Sequence, residues 1–154
     1  MAELGLQELK AALPRNGRLL GLDLGTKTIG LAISDGALLV ASPLETIRRT
    51  KFTADAQALL AVIDRHGVTG LVLGLPVNMD GTEGPRCQST RQFARNLMGL
   101  REVPFAFWDE RLSTAAVQRA MIDADLSRAR RAKVVDQMAA AYILQGALDF
   151  LRRN

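Results

Sequence analysis

The sequence is poor in the residues that build disulfides, zinc sites and membrane spans. Its one cysteine, Cys87, cannot form an internal disulfide or a cysteine-based zinc site, which fits a reducing cytosol. No segment approaches the roughly 18 consecutive apolar residues that a membrane span requires. The first 17 residues lack the basic start and apolar run of a secretory signal. These features predict a cytoplasmic protein with no membrane partner.

Length and charge favour a single domain with a polyanionic partner. A chain of 154 residues can bury a sizeable core as one domain, which we expect to span residues 18–154. Residues 1–17 are expected to be a short amphipathic extension, ended as a helix by Pro14, outside the main fold. The net charge is +4, and 16 of the 20 basic residues are arginine, whose planar fork suits phosphate. Many proteins with no nucleic-acid role are equally basic, so other observations must support this partner.

The order of the predicted elements indicates an α/β domain with a mixed five-stranded sheet. Three strands separated by turns at Gly25 and Asp35 form an antiparallel meander, and two later strands are reached through helices. Helices pack on both faces of the sheet. The predicted strands cover 18–25, 28–35, 37–47, 68–76 and 103–110, and the predicted helices cover 54–65, 87–100, 113–123 and about 127–151.

Asp23 is an acid inside the apolar strand LLGLDLG. Alternation places it on the same face as Gly21 and Gly25, so no neighbouring side chain of that strand crowds its carboxylate. A buried carboxylate is costly unless a cation compensates it. Asp23 therefore holds a ligand, or else it lies at an exposed strand end and forms a turn.

Two further acids end a later strand, in FAFWDERLST. Successive strand positions point Asp109 and Glu110 to opposite faces, and ligands of open α/β sheets bind outside the carboxyl ends of strands. One acid can therefore face a site while the other bonds the start of the next helix. Ser113 and Thr114 are the favoured caps of that helix. The alternative is a pair of solvated turn acids.

Asp136 lies on the last predicted helix, at the border of a face of small and apolar residues. That face contains Ala132, Ala139, Ala140, Ile143 and Ala147. Small residues let a helix lie close to a sheet, and an acid at the border of such a face requires a cation. A salt bridge to lysine or arginine is the alternative to a ligand role.

Together the three acids predict a metal site. Carboxylate clusters without histidine or cysteine suit hard ions such as Mg²⁺ or Mn²⁺. Two such ions can activate a water and stabilise the leaving oxygen of a phosphodiester. We therefore expect Asp23 and its partner acids to bind metal and to support hydrolysis of a phosphodiester.

Four segments resemble a bacterial family described both as Holliday-junction resolvases and as pre-16S rRNA nucleases. They are GLDLGTKTIGLAISD, GLPVNMDGTEG, DERLST and VVDQMAAAYILQGALD, and the resemblance covers residues 18 to about 151. It implies a ribonuclease H-like fold and metal-dependent phosphodiester hydrolysis, with maturation of the 5′ end of 16S rRNA as the task. The implied catalytic and metal-binding acids are Asp23, Glu110 and Asp136, with Asp109, Asp80 and Asn78 in family motifs of less certain role.

The sequence departs from the established bacterial junction resolvase at Lys133. The resemblance implies a fourth acid there, one helical turn before the last catalytic aspartate, and the chain has a lysine instead. Three acids can still hold two ions, because water and substrate phosphate complete the shells. The departure favours RNA, in particular pre-rRNA, over a four-way DNA junction. A monomer and a homodimer both remain open.

Basic and amide residues near these acids are the candidates for substrate contact. Lys27 follows the strand of Asp23, Arg111 follows Glu110, and the run SRARRAK precedes Asp136. A solvated charged surface is the alternative for each of them. The expected nucleic-acid-binding residues are Lys27, Asn78, Arg111, Arg128, Arg130, Arg131 and Lys133. His66, the only histidine, is expected to lie at a helix end, and Trp108 and Tyr142 in the core.

Two other classes of protein fit parts of the sequence. The first hairpin, GLDLGTKTIGLAISD, also resembles the phosphate-binding hairpin of sugar kinases and actin-like ATPases, but no second hairpin of that type follows. A catalytically silent nucleic-acid-binding factor is the other alternative, although a pure binder gains nothing from acids beside phosphate. Dependence on Mg²⁺ distinguishes a nuclease from a binder, and melting that depends on nucleotide identifies an ATPase.

Overall fold

The computed structural model describes residues 3–112 and 128–153, with residues 128–136 described by their backbone alone. The strands are β1 (Arg18–Leu24), β2 (Thr28–Ser34), β3 (Ala41–Arg48), β4 (Val68–Leu75) and β5 (Phe105–Asp109). They form one sheet in the order β3-β2-β1-β4-β5. The first three strands pair antiparallel, whereas β4 pairs parallel with β1 and β5 parallel with β4. The predicted mixed five-stranded α/β sheet is confirmed.

Helices cover both faces of this sheet, as expected. They are α1 (Leu6–Ala12), α2 (Phe52–His66), α3 (Pro85–Leu100) and α4 (Arg128–Arg153). The helices α2 and α3 pack on one face with the apolar side chains of β1 at Leu20, Leu22 and Leu24. The helices α1 and α4 pack on the other face, where β1 contributes Leu19. Among the described helices, none is long and apolar enough to cross a membrane.

Glycine in β1 lets α4 lie directly on the sheet. A Cβ built on Gly21 would lie 2.8 Å from the Cβ of Leu144 and 3.1 Å from the carbonyl oxygen of Ala140. Both distances are shorter than an ordinary contact, so the helix approaches the strand as closely as a residue without a side chain permits. The small-residue face predicted for the last helix therefore packs against the sheet, and Ala140 and Leu144 are fully buried.

The N-terminal segment packs on the main fold, so the expectation that it lies outside is wrong. Leu9 of α1 is fully buried in the cluster beneath α4, and the amide of Leu4 donates a 2.8 Å hydrogen bond to the carbonyl of Phe105. A Cβ on Gly70 would lie 3.0 Å from Leu13 and 3.1 Å from Leu9, so this glycine leaves the space that the leucines fill. The apolar side of an amphipathic helix gains stability by covering that space.

Two turns show how local chemistry sets the element bounds. The predicted two-residue hairpin at Asp35 is a longer loop, because the Asp35 carboxylate accepts hydrogen bonds from the amides of Leu39 and Val40. As a result β3 begins at Ala41 rather than at residue 37. Helix α2 ends as predicted, with His66 as its last residue and Gly67 in the left-handed conformation at φ 63°.

Trp108 is buried in the core as expected, and Tyr142 packs against the same cluster. The helix predicted over 113–123 and its expected caps, Ser113 and Thr114, lie outside the described residues.

Candidate active site

The candidate site lies at the edge where the parallel strands β1, β4 and β5 end. Asp23 is the second-last residue of β1, paired in register with Gly30 of β2, and is only 6% exposed. Because Leu22 and Leu24 face α2 and α3, alternation turns Asp23 to the face that α4 covers. Burial of a carboxylate at a strand terminus is costly without compensating charge or hydrogen bonds, which is the property expected of a ligand-holding acid.

Glu110, predicted as the last residue of the strand, lies just beyond β5 as the first residue of a 3₁₀ helix (Glu110–Leu112), and it reaches the same face of the sheet. A Cβ built on Gly74 of β4 would lie 3.3 Å from the carboxyl carbon of Glu110 and 2.6 Å from Cδ1 of Ile143. Gly74 follows the last register pair of β1 and β4, Leu22 with Leu73, and so lies beside the position of Asp23. The structure therefore brings Asp23 and Glu110 together on adjacent parts of one face, separated by a glycine.

The direction of α4 relative to β1 follows from its contacts with the sheet. The amide of Ala41 donates a 2.8 Å hydrogen bond to Oε1 of Gln145, and Ala41 pairs with Ser34. The hydroxyl of Ser34 in turn accepts a 2.9 Å hydrogen bond from the amide of Leu19. Gln145 therefore lies level with the first residues of β1, far from Asp23 along the strand.

Toward its N-terminus, α4 approaches the edge of the sheet that carries Asp23. Ala140 lies against Gly21, further along β1 than the level of Gln145. Asp136 is one helical turn, about 6 Å, before Ala140, and Asp23 is two residues, about 7 Å, beyond Gly21. The backbone of α4 thus carries Asp136 in the direction of Asp23. Among the described side chains, which do not include that of Asp136, no group of three metal-ligating residues occurs.

The residues at this edge fit a hard divalent cation. The donors that Asp23 and Glu110 offer are carboxylate oxygens. Asp23 is buried, and Gly74 leaves space beside Glu110 that a side chain would fill. Oxygen donors of this kind suit Mg²⁺ and Mn²⁺.

Asp109 has a different environment from Glu110, as the alternation of the strand predicts. Trp108 belongs to the cluster beneath α4, whereas Phe107 packs against the opposite cluster, so Asp109 points away from the face of Glu110. The Arg111 side chain donates hydrogen bonds of 2.7 to 3.1 Å to the Asp109 carboxylate, and its amide donates another of 2.9 Å. These bonds, the side-chain ones first, hold the pKa of Asp109 below its usual value. Asp109 therefore orients Arg111.

Asn78 and Asp80 both form hydrogen bonds with Thr82 in the turn that follows β4. The Asn78 amide donates to the Thr82 hydroxyl at 3.0 Å, and that hydroxyl donates to Oδ1 of Asp80 at 2.6 Å. The Thr82 amide also donates to Asp80, at 3.0 Å. Hydrogen bonds from the Thr82 hydroxyl and then its amide lower the pKa of Asp80. In this structure both side chains fix the turn.

The basic candidates lie in two places. Lys27 is exposed in the turn between β1 and β2, next to the end of the Asp23 strand. Arg128, Arg130, Arg131 and Lys133 belong to the first turns of α4. Their side chains lie outside the described part of the chain.

Arg49 and Gly74 also support the site, and only Arg49 lacks a local sequence signal. Nη1 of Arg49 donates a 2.6 Å hydrogen bond to the carbonyl of Gly25, and its Nε lies 3.8 Å from the buried carboxylate of Asp55. This contact ties the turn after Asp23 to α2. Glycine within the buried strand VTGLVLGL was a signal for Gly74, because strand glycines often mark close approach by another group.

Sequence comparison places the chain among known proteins. The family described as "RuvX: Holliday junction resolvase" matches residues 17–150. The chain belongs to this family. A RuvX relative from Paramagnetospirillum magneticum is 69% identical over 142 residues, which is 92% of each chain. Another, from Paracoccus denitrificans, is 68% identical over 141 residues, covering 92% of this chain and 89% of the relative. Both carry the name "Putative pre-16S rRNA nuclease".

Structural comparison confirms the expected fold. A Thermus thermophilus RuvC, solved in complex with a Holliday-junction substrate, superposes with a TM-score of 0.57 at 15% identity. The match covers 90% of this chain and 96% of that one. The RuvX chain therefore has the resolvase-type, ribonuclease H-like architecture that its sequence predicts.

Proposed function

We propose that this RuvX protein is a divalent-metal-dependent nuclease that processes the 5′ end of pre-16S rRNA in the cytoplasm. The observation that carries the proposal is that the buried Asp23 and Glu110 lie on the same face of the sheet, where its parallel strands end. Membership of the RuvX family and the names of its relatives support nuclease action in rRNA processing.

The residues that would hold the metal are Asp23, Glu110 and Asp136, each from a different element. Mg²⁺ or Mn²⁺, as two ions, would supply activation of water and stabilisation of the leaving oxygen. The sheet fixes the first two carboxylates because both follow buried strand residues. The backbone of α4, which packs closely on Gly21 through Ala140 and Leu144, would carry the third.

Cationic side chains around the edge position the polyanionic substrate. Arg111 lies directly after Glu110 and is held by Asp109, so its guanidinium is oriented before substrate arrives. Lys27 and the basic residues at the start of α4 (Arg128, Arg130, Arg131 and Lys133) add positive charge for the phosphate backbone. Asn78 contributes through the turn that it stabilises.

A second candidate function is resolution of four-way DNA junctions. The description of the RuvX family favours it, whereas Lys133 in place of the fourth acid of the junction resolvase disfavours it. A homodimer would suit a symmetric junction, whereas a monomer suffices for rRNA. A silent nucleic-acid-binding factor is the third candidate.

Side-by-side cleavage assays separate these functions. A 5′-extended 16S rRNA precursor and a four-way DNA junction are each incubated with Mg²⁺, with Mn²⁺ or with EDTA. The expected result is metal-dependent cleavage of the RNA that Asp23→Asn abolishes. Asp149→Asn is the matched control, because it neutralises an acid near the other end of α4, bonded there by Gln145 and Arg152, and should retain the cleavage.

Each other outcome has a definite meaning. Paired nicks in the junction, without RNA cleavage, would identify a resolvase. Binding of either nucleic acid with no cleavage under any metal condition would contradict the catalytic proposal.

A further inference from the structure

Met79 is an apolar side chain presented to solvent at the acidic edge. It is 87% exposed, the largest exposure among the large hydrophobic side chains that the structure describes. It lies at the tip of the turn formed by residues 78–82, which follows β4. Single exposed apolar residues are common on protein surfaces, so exposure alone assigns nothing to Met79.

The turn that carries Met79 is held by a closed set of hydrogen bonds. The backbone amide of Gly81 donates a 2.9 Å hydrogen bond to the carbonyl of Asn78. The backbone amide of Asn78 donates another, also of 2.9 Å, to the carbonyl of Thr82. Asp80 accepts from both the hydroxyl and the amide of Thr82. Gly81 adopts φ 92°, which glycine tolerates and other residues rarely adopt. These bonds fix the backbone of the turn, so Met79 can bind a ligand with little further loss of backbone entropy.

Arg111 connects the turn of residues 78–82 to the candidate active site. Its Nη1 lies 3.4 Å from the carbonyl oxygen of Met79, while its Nε and Nη2 bind Asp109. Arg111 directly follows Glu110, and the next residue, Leu112, is 68% exposed. The exposed Met79 thus lies beside a fixed guanidinium that directly follows Glu110 in the chain.

We propose that Met79 packs against a nucleobase of the substrate strand next to the bond that is cut. Apolar side chains, methionine among them, are used by proteins to contact or separate stacked bases. The proposal rests on the proposed nuclease function and adds a base contact to its phosphate contacts. Arg111 takes the backbone while Met79 takes the adjacent base.

A nucleic acid fits this surface better than a protein partner. The apolar area is limited to Met79 and Leu112, far less than a stable protein interface buries. Arg111, whose guanidinium contacts the Met79 carbonyl, is suited to phosphate. Asp80 stays ionised, because hydrogen bonds from Thr82 lower its pKa, and the nearby Arg111 offsets its charge. Single-strand binding sites likewise combine cationic groups for the backbone with side chains that contact the faces of the bases.

Fluorescence of 2-aminopurine tests the contact apart from cleavage. Short RNAs spanning the 5′ end of the 16S precursor carry the fluorescent base at successive positions, and binding is measured with Ca²⁺ in place of Mg²⁺. The wild-type protein should change the fluorescence at one or two positions beside the cleavage site. Met79→Ala should abolish that change and weaken binding by about fivefold to thirtyfold.

The matched control is Leu100→Ala, which removes an exposed leucine, 57% exposed, at the far end of α3. It should bind as the wild type does. An abasic site at the responsive position provides a second control. There Met79→Ala should bind no more weakly than the wild type, because the base that the methionine contacts is missing.

Asp80 variants distinguish a base contact from simple charge. Asp80→Ala removes an acid, so charge alone would tighten RNA binding, yet it also releases the turn and should weaken binding as Met79→Ala does. Asp80→Asn keeps an oxygen acceptor for Thr82 and should restore the fluorescence change.

The results separate the inference from the proposed function. Equal affinity and an equal fluorescence change for wild type and Met79→Ala, with RNA cleavage intact, would overturn the base contact alone. Failure of the wild type to bind RNA or DNA would overturn both.

Discussion

The carboxyl carbon of Glu110 lies 3.3 Å from the point where a Cβ on Gly74 would stand. The glycine in β4 thus holds open the space beside the acid that follows β5. A residue with no chemistry of its own is therefore part of the site.

Gly74→Ala should damage activity more than stability. The added methyl group would meet Cδ1 of Ile143 at 2.6 Å and displace the Glu110 carboxylate. Overpacking of this kind costs about 1–3 kcal/mol, while even a small displacement of a catalytic carboxylate lowers turnover, here by about tenfold. Urea unfolding and single-turnover RNA cleavage measure the two effects.

Gly70→Ala is the matched control for that variant. Gly70 lies on the same face of β4, four residues before Gly74. Its added Cβ would stand 2.9 Å from Leu19. We expect a comparable loss of stability with cleavage retained at a temperature where the protein is folded. Equal loss of cleavage in both variants would contradict a specific role for Gly74.

Gly21→Ala should destabilise the fold and misplace α4. Its Cβ would meet the Cβ of Leu144 at 2.8 Å and the carbonyl of Ala140 at 3.1 Å, and neither atom moves without the helix. We expect a loss of about 2–3 kcal/mol in unfolding free energy and weaker cleavage even where the variant is folded, because the helix carries Asp136. Full cleavage by the folded variant would show that the position of α4 is not critical.

The ion pair between Asp109 and Arg111 should make stability depend on pH. Hydrogen bonds from Arg111 hold the pKa of Asp109 below its usual value, so the ionised carboxyl stabilises the folded state. That contribution is complete above the unfolded pKa, near 4, and is lost as the pH falls through the lower folded pKa. The stability difference between wild type and Asp109→Asn should therefore shrink as the pH falls from about 5 to 3.

Urea unfolding between pH 3 and 7 measures this difference. The same pair of proteins in an Arg111→Ala background should show a smaller dependence on pH, because the largest cause of the shift is removed. A difference that stays constant across the range would contradict the ion pair.

Leu9→Ala tests whether the N-terminal helix α1 belongs to the core. Leu9 is fully buried in the cluster beneath α4, so the substitution should cost about 2–5 kcal/mol in unfolding free energy. Leu100→Ala, at an exposed leucine, should cost less than about 0.5 kcal/mol. Equal effects of the two would mean that the N-terminal helix does not belong to the core.

Alternation within strands predicted most of what the structure shows at the site. It placed Asp23 beside two glycines and turned Asp109 and Glu110 to opposite faces, because side-chain direction in a strand is a local property. The meander and the later parallel strands followed from turn residues and from the helices between the strands.

Contacts between distant elements escaped prediction. Burial of Leu9 depends on the space that Gly70 leaves, and the bond from Arg49 to the carbonyl of Gly25 joins residues 24 apart. The Asp35 turn was misjudged because its carboxylate binds two amides further along the loop. The first two contacts join parts of the chain that only the folded sheet brings together, whereas the Asp35 bonds are local to one loop.

The proposed metal-binding site needs Asp136 to complete it with Asp23 and Glu110. This requirement is measured by single-turnover cleavage of the 5′-extended 16S precursor with Mg²⁺, by wild type and Asp136→Asn. Asp149→Asn is the control, an acid about 20 Å further along α4 that is bound by Gln145 and Arg152. The account predicts a rate loss of at least about a hundredfold for Asp136→Asn, with RNA binding in Ca²⁺ retained and Asp149→Asn unaffected. A wild-type cleavage rate in Asp136→Asn would contradict it.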